Sequence, residues 1–149
     1  MDNESKRNNG ILDRANAAIL SRDFEQAARI YKGLLKSDPQ NIELLSSLGN
    51  LYVKSGDDEK ALAYFSEIIR IDSKNVEALN SLGGIYRRLK KYDDSISVLE
   101  QAVISDESNV QSFYNLGFTF KLMGKYDDAL NCFNRVVEEN PEDVLAFNH

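Results

Sequence analysis

Residues 47–65 read SLGNLYVKSGDDEKALAYF, two apolar runs of helical spacing separated by one glycine and a burst of acids. Leu45, Leu48 and Tyr52 lie three and four residues apart, on one face of a helix. The stretch recurs. SLGNLY at 47–52 is matched by SLGGIY at 81–86 and NLGFTF at 115–120, a spacing of 34 residues each time. Leu48, Leu82 and Leu116 fall in one column, Gly49, Gly83 and Gly117 in the next, and Tyr52, Tyr86 and Phe120 form an aromatic column. Downstream, Ala61, Ser95 and Ala129 supply a small residue, followed by Phe65, Leu99 and Phe133. Ala27, Tyr31 and Pro39 carry the second half of the pattern back towards the N-terminus.

Each column has a physical reason. A glycine inside a helix costs up to about 1 kcal/mol relative to alanine, tolerable where the missing Cβ lets a second helix approach. Ala61 and Ala129 do the same from the facing helix, and Phe65 and Phe133 fill the space beside them. Gly56 and Gly124 are placed to end their helices in the left-handed conformation. Asn41, Asn75, Asn109 and Asp143 precede the units as helix N-caps. Asp57, Asp58, Asp93, Asp94, Asp127 and Asp128 start the second helices, where acids favour the helix dipole. Cys132 shares a column with Ile30, Tyr64 and Val98 and reads as a small hydrophobe on a helix flank.

Four gapless units follow, 8–41, 42–75, 76–109 and 110–143, after a polar tail at 1–7 expected to be disordered. Residues 144–149, VLAFNH, read as the start of a truncated fifth unit, so the chain is expected to be a fragment of a longer protein. One helix pair cannot bury its own apolar face, so neighbours must complete the core. A period of 34 carrying L-G-x-x-Y, then A-x-x-x-F, then Pro resembles the tetratricopeptide repeat. The resemblance implies an all-α right-handed superhelix of eight helices, the first helix of each unit lining a concave groove. The chain departs from the pattern in having no Trp, in keeping the closing proline only as Pro39 and Pro141, and in placing Arg14 and Ala18 in the apolar and aromatic columns of unit one.

Composition narrows the function. A net charge of −6 over 149 residues lacks the basic footprint that nucleic acid requires. No apolar run is long enough to span a bilayer, and the N-terminus has no signal-peptide core. The single cysteine fits a reducing compartment, and the chain reads as cytoplasmic. One His and one Cys exclude zinc clusters, and no phosphate-binding loop is present. No metal, cofactor or catalytic group is expected, and the chain reads as a non-enzyme.

The resemblance implies a protein–protein interaction scaffold that binds a partner peptide or helix in its groove. The alternative is a substrate-docking segment of a larger enzyme, such as a glycosyltransferase with repeats ahead of its catalytic domain. Groove residues expected to meet a partner are Asn50, Asn80, Arg87, Arg88, Tyr114, Asn115, Phe118 and Lys121. Tyr114 and Phe118 at i, i+4 beside two arginines have the makeup of an interface hot spot. The alternative is that these aromatics pack on a fifth unit and the basic residues complement helix C-termini. Tetratricopeptide domains that hold the acidic tails of heat-shock chaperones use Lys, Asn, Asn, Lys and Arg at fixed groove slots. In this chain those slots hold Leu12, Asn16, Ser47, Glu77 and Ser81, or Ser46, Asn50, Ser81, Gln111 and Asn115. None is basic, so such tails are not expected partners. Met123, Leu130 and Val137 are expected to leave an apolar strip at the truncated end, favouring self-association through unit four.

Overall fold

Residues 3–142, the part of the chain described by a computed structural model, contain the α-helices α1 (Asn3–Leu20), α2 (Phe24–Ser37), α3 (Ile42–Ser55), α4 (Asp58–Ile71), α5 (Val76–Arg88), α6 (Tyr92–Ser105), α7 (Val110–Leu122) and α8 (Tyr126–Glu139). They form two compact units, divided between Ile71 and Asp72. In the first, α1 packs on α2, α2 on α3 and α3 on α4. In the second, α5 packs on α6, α6 on α7 and α7 on α8, and α5 also touches α7 directly.

The helix starts follow the asparagines. Asn41, Asn75 and Asn109 each accept a hydrogen bond from the backbone N–H three residues on, at Leu44, Ala78 and Ser112. The fourth expected cap, Asp143, and the stub at 144–149 lie outside the described residues. Within each pair the turn is the same backbone device. The N–H groups of Asp23, Asp57, Lys91 and Lys125 donate to the carbonyls of Ala18, Tyr52, Tyr86 and Phe120, at 2.8 to 2.9 Å. This is the bond that closes a Schellman cap. It needs a left-handed residue just before the donor, supplied by Arg22, Gly56, Lys90 and Gly124, with φ of 60°, 84°, 61° and 74°. Glycine is thus used at two of four equivalent turns, and the other two hold a long basic residue in the same conformation.

One expectation is corrected at the N-terminus. Residues 3–7, read as part of a disordered tail, are the first turns of α1. No proline interrupts them, each helical residue adds a backbone bond at no new nucleation cost, and Glu4 lies in the first turn where the dipole favours an acid. The helix is only weakly amphipathic, and its buried residues are Ala15 and Ala18.

The small-residue columns do what their chemistry requires. A Cβ on Gly49 would stand 2.7 Å from the Phe65 ring, and one on Gly83 would stand 2.5 Å from Leu99 Cγ and Cδ2. One on Gly117 would meet the Phe133 ring at 2.9 Å and Cys132 Cβ at 3.0 Å. Ala61, Ala129 and Ser95 are buried opposite. Gly84, one residue along α5, faces no atom within 4 Å.

Adjacent glycines should therefore respond oppositely. Gly83→Ala forces α5 and α6 apart, and an overpacking cost of about 1–3 kcal/mol outweighs the gain in helix propensity of about 1 kcal/mol. Gly84→Ala keeps only the gain. Urea melts should show the first variant less stable than the parent and the second equal or more stable; matched behaviour would remove the close-packing account.

Candidate functional site

The expected groove residues of the second unit lie on α5 and α7. Helical spacing puts Asn80, Gly84 and Arg87 along one face of α5 and Tyr114, Phe118 and Lys121 along one face of α7. Tyr114 and Phe118 are stacked, with centroids 6.5 Å apart and an interplanar angle of 9°. The Tyr114 ring also leans on Phe133 of α8, at 6.0 Å and 56°. Tyr114 keeps 41% of its surface exposed, and Phe118 is half-buried.

Arg87 crosses from α5 to α7. Its guanidinium carbon lies 4.9 Å from the Phe118 ring centroid, within the range of a cation–π contact. Its Nη1 donates to the Asn115 carbonyl at 3.3 Å and to Thr119 Oγ1 at 3.4 Å. The residue lies in the last turn of α5, where a cation suits the dipole, and reaches across to α7 as well. No carboxylate pairs with it among the described residues. Burial, and then the neighbouring Arg88 charge, hold its pKa below the ordinary guanidinium value, yet an arginine there stays charged.

Beneath Arg87 is a hydroxyl pair that sequence reasoning missed. Ser95 and Thr119 are both fully buried. Ser95 Oγ lies 2.8 Å from the Gly83 carbonyl and 3.2 Å from Thr119 Oγ1. Thr119 Oγ1 in turn donates to Asn115 O at 2.9 Å. Each hydroxyl has a single proton, so Ser95 and Thr119 cannot make all these contacts as donors at once, and Thr119 is left able to accept from Arg87. A signal was available in the repeat itself. Thr119 stands in the column of Leu51 and Ile85, and Ser95 in that of Ala27, Ala61 and Ala129, all of them buried apolar residues.

At the other end of the α5–α7 face is a cleft of about 430 Å³ lined by Val76, Glu77, Asn80, Ser81, Asn109, Gln111 and Asn115. Asn80 Nδ2 donates to Asn109 Oδ1 at 3.4 Å, and Gln111 Nε2 to Asn115 Oδ1 at 3.1 Å. Asn80 Oδ1 is buried and accepts no hydrogen bond among the described residues. An orphaned buried acceptor beside a cleft calls for an explanation, and a donor on a bound chain would satisfy it.

The face thus gathers Asn80, Arg87, Tyr114, Asn115 and Phe118. Lys121 is exposed on the last turn of α7, and Arg88 is exposed at the end of α5. Asn50 is exposed on α3, in the first unit. Cys132 is a core residue, packed with Leu99 and Leu116. On α8, Leu130 and Val137 are 58% and 41% exposed, while Met123 is half-buried. No helix among the described residues is long and apolar enough to cross a membrane.

Comparison with known proteins agrees with the helix pairs and their columns. Descriptions of the tetratricopeptide repeat match at residues 18–84, 78–111 and 110–143. The chain belongs to the tetratricopeptide repeat family, with about four repeats. Among solved structures it is similar to a crystal structure of MamA, at 27% identity, over 85% of this chain and 74% of that one, with a TM-score of 0.78. It is also similar to YrrB, described as a TPR protein with an unusual peptide-binding site, at 20% identity, 97% and 74% coverage and a TM-score of 0.78. A tetratricopeptide repeat protein from Parabacteroides merdae matches at 18% identity, 92% and 55% coverage and a TM-score of 0.82. No curated protein matches the sequence. Family and neighbours together support a protein–protein interaction scaffold, a class of repeat that is typically non-enzymatic.

Burial, with smaller contributions from Asp128 and Glu100, pushes the Cys132 thiol up to about 11. Below that value the thiolate is scarce and alkylation slow. At pH 8, iodoacetamide should label Cys132 roughly two orders of magnitude more slowly in the folded protein than in urea, where the thiol returns to about 8.5. Equal rates would place Cys132 outside the core.

Proposed function

We propose that this chain is a non-enzymatic interaction module that holds an extended peptide or helix of a partner protein along the α5–α7 face of its second unit. The observation that carries this reading is the Tyr114–Phe118–Arg87 stack, open to solvent and next to a polar cleft with an unsatisfied acceptor. Rigid aromatics and arginine are the residue types that concentrate binding energy at interface centres. Lys121 and Arg88 add basic charge at the same end and would chiefly raise the association rate. Asn50 is proposed as an accessory polar contact on α3. YrrB, with its peptide-binding site, supports the mode but not the particular residues.

Three finer readings belong with it. The acidic chaperone tails are not the partner, because the slots that would clamp a chain-terminal carboxylate hold no basic residue. The partner is neither nucleic acid nor a membrane, and the module works in the cytoplasm. Use of the same face to dock substrates for a larger enzyme is the alternative, and whether a catalytic domain shares the polypeptide separates the two.

Selection of random peptides against the immobilised domain tests the reading. Selected peptides should shift the NMR resonances of Tyr114, Asn115 and Phe118. Replacing both aromatics with Ala should weaken binding about thirtyfold, the equivalent of roughly 2 kcal/mol, with helical content unchanged. Peptides that bind only elsewhere, or binding that is lost on amidating the peptide C-terminus, would count against it.

A second reading rests on α8. Leu130 and Val137 are exposed on α8, and apolar patches of this kind mark interaction surfaces. We infer self-association of two copies through this helix. Sedimentation equilibrium should show a concentration-dependent dimer that Leu130→Lys abolishes; a strict monomer at every concentration would overturn it.

A further inference from the structure

A repeat protein contains its own control, because each column shows what the fold requires at that position. Three residues of the second unit break their columns in the same way. Arg87 stands where the first two repeats have Ile19 and Val53 and the fourth has Lys121, Thr119 where the second and third repeats have Leu51 and Ile85, and Ser95 where the other repeats have alanine. All three exchange an apolar side chain for a polar one. They come from three different helices, yet they converge on one place, linked Ser95 to Thr119 at 3.2 Å and Thr119 to Arg87 at 3.4 Å. The fold does not need them, since other repeats fill the same positions with Val53, Leu51, Ile85, Ala61 and Ala129. Buried hydroxyls are unfavourable unless their hydrogen bonds are made, so their convergence beneath one cation points to a task at that cation.

We propose that Arg87 receives a side-chain carboxylate of the bound peptide, and that Ser95 and Thr119 are positioning residues that hold its guanidinium for that contact. The proposal rests on the α5–α7 face being the peptide site. The Phe118 ring covers the guanidinium on one side, and the Asn115 carbonyl and Thr119 hydroxyl fix Nη1. Both fixed partners are neutral acceptors. The charge is therefore oriented but not neutralised, and a carboxylate is the group whose geometry matches the planar fork.

The test uses the peptides selected on the wild-type domain. Each Asp or Glu is replaced in turn by Asn or Gln, and affinities are compared across Arg87→Gln, Arg87→Lys, Ser95→Ala and Thr119→Val. One acidic position should matter, with its amide weakening wild-type binding by about tenfold to a hundredfold. Arg87→Gln should bind acid and amide forms equally, and Arg87→Lys should keep only part of the preference. Ser95→Ala restores the alanine of the other units. It should shrink the acid-over-amide ratio several-fold, whereas a loss of folding would weaken both forms alike and leave the ratio unmoved. Peptides that bind on this face with no acid preference, or with one that survives Arg87→Gln, overturn the proposal and leave the peptide site standing. A preference for phosphoserine over Glu at the sensitive position overturns the carboxylate assignment. If no peptide is selected, the site and the proposal fall together.

Discussion

How close a first helix can come to its partner governs both units. Gly49 against Phe65, Gly83 against Leu99 and Gly117 against Phe133 are contacts at which a single added methyl would collide with the facing side chain. Close approach of this kind leaves little freedom elsewhere. It fixes the spacing that each turn must span, and the turns respond with one repeated backbone bond and one left-handed residue. It also fixes which side chains border the close contact, since Asn80 and Arg87 lie three and four residues from Gly83 and Tyr114 lies three from Gly117. Unit one has Ala15 in the glycine column and still buries it completely.

Most of this architecture was legible in the sequence because repetition multiplies weak signals. A lone Gly-Leu-Tyr pattern means little, whereas Leu48, Leu82 and Leu116 in one column, each beside a glycine, leave few alternatives. The caps at Asn41, Asn75 and Asn109 were legible for the same reason. The start of α1 was not, because Asn3–Asn9 carry no apolar period and their helicity is inherited by extension from the turns that follow. The site was half legible. Tyr114 and Phe118 stand out by type and spacing, but the role of Arg87 depends on residues 28 and 32 positions away across two helices. Ser95 read simply as small, and Thr119 drew no notice. Residues that break a column are individually unremarkable, and only their meeting in space gives them meaning.

The second unit also shows how an acidic chain can present a basic locus. The chain carries six more negative than positive charges, and many of its acids lie in the first turns of second helices. Arg87, Arg88 and Lys121 occupy the last turns of α5 and α7 instead. Each placement suits its own helix dipole, and because α6 and α8 begin just after α5 and α7 end, the basic side chains share one end of each helix pair with the acids of the helix that follows.

The hydroxyl pair beneath Arg87 has a thermodynamic consequence. A solvent-exposed arginine explores many rotamers, and ordering it during association costs up to about 2 kcal/mol of side-chain entropy. Here the stacking on Phe118 and the bonds to Asn115 and Thr119 restrict those rotamers as the helices pack. The ordering penalty therefore falls on folding, where it is shared among the contacts of a whole unit, and little of it remains for an encounter. Binding at such a locus would be weighted towards enthalpy, with a smaller opposing entropy than a mobile arginine would impose.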